Sequence, residues 1–148
     1  MDGIAAGLLC LVVGVSDGDT ITVRCGDQPQ QRIRLMEIDA PEKAQPYGQR
    51  AKQALSALVY GKQIDVAASG SDRYRRTLAH LRLDDVDINR MMVRQGLAWC
   101  YRQYLHDSRC LDDEKHAKDQ HIGLWADPDP TPPWEWRHAR ASATKPKE

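Results

Sequence analysis

The segment "RLMEIDAPE", residues 34–42, sets Glu37, Asp39 and Glu42 within a few positions of Arg34 and then turns the chain at a proline. Asp19 in "DGDT" and the run Arg73, Tyr74, Arg75 and Arg76 in "SDRYRR" supply further charge. If the strand ends converge, Asp19, Asp39 and Glu42 form an oxygen-only donor set of the kind that hard cations such as Ca²⁺ and Mg²⁺ take. Carboxylates brought that close repel one another unless a cation or an arginine compensates. A metal there would also orient a phosphate and an attacking water. Guanidinium groups clamp phosphate oxygens through paired hydrogen bonds and stay charged. Each well-aimed donor to a developing phosphate charge is worth roughly 3 kcal/mol, and Glu42 suits a general base acting on water. Each piece also has a plainer reading: "DGDT" as turn chemistry, the carboxylates as solvated strand ends, and "DRYRR" as a basic loop.

The elements that must position these residues are mostly strands. "CLVVGVSDGDTITVRC" is two β-branched runs around "DG", a hairpin signal, with the tip expected at Asp17 and Gly18. That tip sets Cys10 opposite Cys25, unless a bulge shifts the register. "QRIRLMEI" is a third strand, "GKQIDVAA" a fourth and "RTLAHLRL" a fifth. Apolar spacing at Ala51, Ala54, Leu55 and Leu58 predicts an amphipathic helix over 47–59. "INRMMVRQG" is a short helix closed by Gly96, and "LDDEKHAKDQHIG" a charged last helix ended by a glycine. "DPDPTPPWEW" is expected to lie over the body as a tail without helix. Strands ahead of most of the helix predict an α+β, mainly β, fold: a small barrel of the five-stranded OB type with about three helices. One domain is expected over 10–138, with an N-terminal segment 1–9 left from a signal peptide or cloning and a disordered tail over 139–148.

The chain has 148 residues, enough for one cored domain, and its 21 basic and 21 acidic residues cancel. No global field favours nucleic acid, so any polyanion must meet a local patch. Four cysteines without metal-ligand spacing fit two disulfides and an oxidising compartment, or four buried thiols. The apolar "IAAGLLCLVVGV" is too short to span a bilayer. The histidines His106, His116, His121 and His138 fall in polar segments and read as surface residues.

In order and spacing, "VSDGDTITV", "RLMEIDAPE", "PYGQRAKQAL", "DRYRRTLAHL", "INRMMVRQGLAW" and "IGLW" resemble the staphylococcal nuclease family from about Val12 to Trp136. The resemblance implies an OB-fold Greek-key barrel and a Ca²⁺-dependent, sugar-nonspecific endonuclease that hydrolyses DNA and RNA to 3′-phosphate products. It implies a monomer with nucleic acid as its partner and neither membrane nor protein partner, and the even cysteine count adds a periplasmic or secreted location. Residue by residue, Asp19, Asp39 and the carbonyl of Ala40 match the metal ligands. Glu42 matches the base, Arg34 and Arg76 the phosphate-binding arginines of the catalytic set, and Arg73, Tyr74 and Tyr104 lie with the substrate-binding positions. Cys10–Cys25 and Cys100–Cys110 are the expected disulfides, the second stiffening the loop that carries Tyr104.

The neutral net charge and the four cysteines depart from the family, as do two further positions. Arg75 stands where relatives have glycine, which strains the backbone if φ there is positive. Glu37 replaces a small or apolar residue and is expected to face solvent. The competing readings are a non-catalytic OB-fold module that binds nucleic acid, disfavoured because all three carboxylates are retained, and a polysaccharide- or protein-binding OB domain, which leaves Arg34 and Arg76 unexplained.

Overall fold

In the computed structural model, residues 7–144 are described. The strands are β1 (Leu8–Asp17), β2 (Thr20–Arg24), β3 (Gln31–Leu35), β4 (Ile38–Asp39), β5 (Gln63–Ser71), β6 (Thr77–Leu83), β7 (Val86–Asp87) and β8 (Trp99–Cys100). The helices are α1 (Gly48–Val59), α2 (Ile88–Arg94), α3 (Arg109–Gln120) and α4 (Pro133–Thr144). Strand order β3-β2-β1-β5-β6 is closed by a parallel pairing of β3 with β6, making a five-stranded barrel of the OB type, and β4 pairs with β8 beside it. Among the described residues, no helix is long and apolar enough to cross a membrane.

The first hairpin turns at Gly18 and Asp19, because Asp17 pairs with Thr20. That is one residue later than the spacing predicts, and neither turn residue has positive φ. Asp17 Oδ1 closes the turn by accepting from the Asp19 amide at 3.1 Å. Two irregularities, between Val12 and Gly14 and between Val15 and Asp17, then return the register, so that Leu11 faces Arg24. The Cys10–Cys25 disulfide follows from that restored register. Gly18 is required by close packing: a Cβ there would lie 2.6 Å from Ala51 of α1 and 2.8 Å from Ala40.

The core is filled from every barrel strand, with Ile21, Ile33, Leu35, Ile64 and Leu81 fully buried, and α1 seals it with Ala51, Leu55 and Val59 at helical spacing. Asp87 caps α2 by accepting from the Arg90 amide at 3.0 Å. Buried Asn89 accepts from the Leu81 amide and donates to the carbonyls of Met36 and Ala79, lacing β6 to the turn before β4. α3 ends at His121 in the left-handed region rather than at a glycine.

The C-terminal segment departs from the sequence-based expectation. Residues 133–144 form α4, so the tail expected over 139–148 is helical through Thr144. Pro133 opens that helix rather than forbidding it, since the first helical position needs no N–H partner. Residues 145–148, and the first six of the expected 1–9 segment, lie outside the described residues.

Candidate functional site

At one end of the barrel the hairpin tip, the end of β3 and β4 meet. Arg34, leaving β3 opposite Thr20, points its guanidinium under the next turn. Its Nη1 donates to the carbonyls of Leu35 (2.6 Å) and Ile38 (2.9 Å). Its Nη2 lies 3.4 Å from both Asp19 Oδ2 and Asp39 Oδ1. The Ala40 amide donates to Asp19 Oδ2 at 2.8 Å, and Thr20 Oγ1 to Asp19 Oδ1 at 3.1 Å. Buried Asp19, Asp39 and Ala40 therefore form one group with the partly buried Arg34. Glu42 joins it through Arg137 of α4. Arg137 Nη2 donates to Asp39 Oδ2 at 2.7 Å, and Nη1 donates to Asp39 Oδ1 at 3.1 Å and to Glu42 Oε1 at 2.8 Å.

Four carboxylates, counting Asp17, share two guanidinium groups, and their protonation records the imbalance. Burial would raise Asp19, but the charge of Arg34 and hydrogen bonds from Asp17, Ala40 and Thr20 bring it below the ordinary value. Asp17 absorbs the cost: burial, then the charge of Asp19, push it up to about 7. Burial also leaves Asp39 above its ordinary value, despite the hydrogen bonds from Arg137.

The donor chemistry fits a hard cation, being oxygen only. Among the described residues, no three Asp, Glu, His or Cys side chains converge as a ready-made cage. A cation here would therefore rest on two side-chain carboxylates and complete its shell with backbone carbonyl and water, a coordination that Ca²⁺ and Mg²⁺ accept.

The remaining expected residues are held by other partners. Arg76 precedes Thr77, which pairs with Ile33 at the barrel seam. Its Nε is held at 2.7 Å by Asp72, whose carboxylate also accepts from the amides of Tyr74 and Arg76. Tyr74 is exposed, with the guanidinium groups of Arg73 and Arg76 at 4.9 and 5.5 Å from its ring centroid. Arg75 does have positive φ, 63°, as its departure from glycine warned. Tyr104 is exposed and packs edge-on to Tyr101 in the loop closed by the Cys100–Cys110 disulfide.

Glu37 overturns an expectation. It is buried rather than solvent-facing, with φ of 68°. Its carboxylate accepts from the amides of His106 and Asp107, both at 2.6 Å, and meets His80 Nε2 at 2.6 Å. Its own carbonyl accepts from the Tyr101 amide at 2.8 Å. Glu37 thus ties the disulfide loop to the turn that delivers Asp39. No local pattern announces it, because the loop amides lie about seventy residues downstream. Arg137 was missed as well; the signal available was Pro at the head of an alanine-containing run, "PWEWRHARASA".

Comparison with known proteins gives a consistent result. Residues 32–127 match the family described as staphylococcal nuclease homologue. An uncharacterized endonuclease of Haemophilus influenzae is 48% identical over 86% of this chain and 72% of its own length. An uncharacterized endonuclease of Escherichia coli is 45% identical over 87% of this chain and 84% of its own. A micrococcal nuclease of Shigella flexneri is 40% identical over 90% of this chain and 82% of its own.

Proposed function

This chain belongs to the staphylococcal nuclease family, and from that premise we propose that it is a Ca²⁺-dependent endonuclease acting on the phosphodiester bonds of DNA and RNA. The observation that carries the reading is the convergence of Asp19, Arg34 and Asp39 within 3.4 Å contacts, with Glu42 at the rim. Asp19, Asp39 and the Ala40 carbonyl are the residues that would hold the cation. Bound there, Ca²⁺ supplies neutralising charge for a phosphate and a template for water.

The chain's own groups do the rest. Glu42, a third exposed and next to the buried pair, takes a proton from water as general base. The resulting oxygen attacks phosphorus in line, the bond to the 5′-oxygen breaks, and that oxygen leaves with a proton from solvent. The phosphate stays on the 3′ side. Arg34 has committed its Nη1 to carbonyls, so it meets a phosphate oxygen through its remaining N–H groups. Arg76, oriented by Asp72, offers its terminal nitrogens from across the seam. Arg73, Tyr74 and Tyr104 are exposed side chains suited to backbone phosphates and unstacked bases.

Action as a monomer is what the family resemblance implies. Two disulfides suit a periplasmic or secreted setting. The test is digestion of single-stranded DNA and of RNA in Ca²⁺ and in EDTA, beside Glu42→Gln, with end-group analysis. Cutting that needs Ca²⁺ and Glu42 and leaves 3′-phosphates is expected. Binding without cutting by the wild type would replace this reading with the non-catalytic module.

A further inference from the structure

Arg137 lies beyond the segment that matches the family, yet it makes the closest contacts to the site's carboxylates. Its placement is built in. Trp134, one turn earlier on α4, stacks on Tyr101 with ring centroids 5.5 Å apart and planes 4° apart, and meets Trp99 edge-on at 5.6 Å. Just ahead of the helix, Gln45 donates to the Thr131 carbonyl at 2.6 Å. These anchors aim the next turn of α4 at the end of β4.

The guanidinium then covers both oxygens of Asp39 and one of Glu42. Those are lone pairs that a metal ion would need, and a guanidinium bonded to both oxygens of Asp39, with Arg34 already 3.4 Å from one of them, would repel a divalent ion brought onto the same oxygens. Asp39 is 1% exposed and Arg137 39%. The arginine can therefore withdraw into solvent, whereas the aspartate cannot leave the core.

We propose that Arg137 sets this site's affinity for divalent cations. The guanidinium and a cation exclude each other on Asp39, so α4 gives up Asp39 as a cation loads. The proposal rests on the reading that Asp19 and Asp39 hold a cation, and it adds a competitor carried by the same chain. Cation binding and the docking of α4 are then linked, each weakening the other by the same factor.

The test is calorimetric titration of the full chain with CaCl₂ for wild type, Arg137→Gln, Arg137→Lys and Asp39→Asn, with tryptophan emission followed alongside. Arg137→Gln is expected to bind Ca²⁺ about tenfold more tightly than wild type, within the usual span of intersite coupling. Arg137→Lys falls between them, because an ammonium cannot span both oxygens of Asp39, and it serves as the working variant if Arg137→Gln does not fold. In the wild type, Ca²⁺ should also change the emission of Trp134 and Trp136 on α4, and in Arg137→Gln that change should shrink. Unchanged or weaker Ca²⁺ binding by the Arg137 variants, with binding still abolished in Asp39→Asn, overturns the proposal and leaves the cation site standing. Absence of binding in every protein overturns both.

Discussion

Asp113 and Glu114, side by side on α3, are as buried as Asp39, each 1% exposed, but they live among an excess of cations. Arg90 and Arg94 converge on Asp113, and Arg102 and Lys118 on Glu114, which also accepts from the Cys100 amide at 2.8 Å. For Glu114 burial is outweighed by Arg102, and the carboxyl is held below its ordinary value. At the barrel end the balance is reversed, and Asp17 and Asp39 are pushed upward. Over-compensated carboxylates clamp helices together. Under-compensated ones keep a capacity for positive charge, which is why perturbed groups mark functional sites.

The sharpest way to break this contrast is to neutralise one acid in each cluster. Asp39→Asn should lower DNA hydrolysis at least about a hundredfold, as loss of a group that organises transition-state charge does. In metal-free protein its melting temperature should not fall, because burial already opposes the Asp39 charge. Asp113→Ala should do the opposite. It should lose about 2–3 kcal/mol in urea unfolding, less than a fully buried pair because Arg90 is a third exposed, while the folded protein keeps its rate. Equal loss of stability in both variants would erase the distinction.

A smaller effect concerns Asp17. Its folded pKa, about 7, lies above the unfolded 3.8, so the folded state holds the proton longer. The resulting penalty is absent below about pH 4, grows as pH rises towards 7 and is complete above it. Asp17→Asn mimics the protonated acid and keeps the acceptor for the Asp19 amide. It should match wild type in acid and gain about 1–2 kcal/mol at pH 8 without metal, after discounting for partial exposure. Thermal melts across pH would check the sign. Smallest is Arg75→Gly, outside both clusters. Relief of positive-φ strain, partly offset by glycine's unfolded-state entropy, should add no more than about 1 kcal/mol by urea unfolding.

What the sequence disclosed follows from range. The β1–β2 hairpin, α1 and the stop of α2 are local features, written in alternation, helical spacing and Gly96. The site carboxylates were legible because a short motif sits at a strand end. Glu37 was not, since its partners are the amides of His106 and Asp107, brought to it by tertiary folding and the Cys100–Cys110 loop. Prolines 130, 132 and 133 read as a stop, yet one of them is also a good first residue of a helix, and so α4 and Arg137 stayed hidden. The Cys10–Cys25 pairing was anticipated through a compensation: the tip lies one residue later than expected, and two bulges return the register.

The parallel seam between β3 and β6 has a consequence in time. It joins Ile33 to Thr77, more than forty residues apart, whereas β1, β2 and β3 meet through neighbouring turns. Distant pairings form late, because the intervening chain must first be ordered. Arg34 lies on one side of that seam and Arg76 at the mouth of the other. A chain emerging during synthesis therefore carries the two arginines far apart until barrel closure brings β3 and β6 side by side, so the two guanidinium groups share one end of the molecule only in the completed barrel.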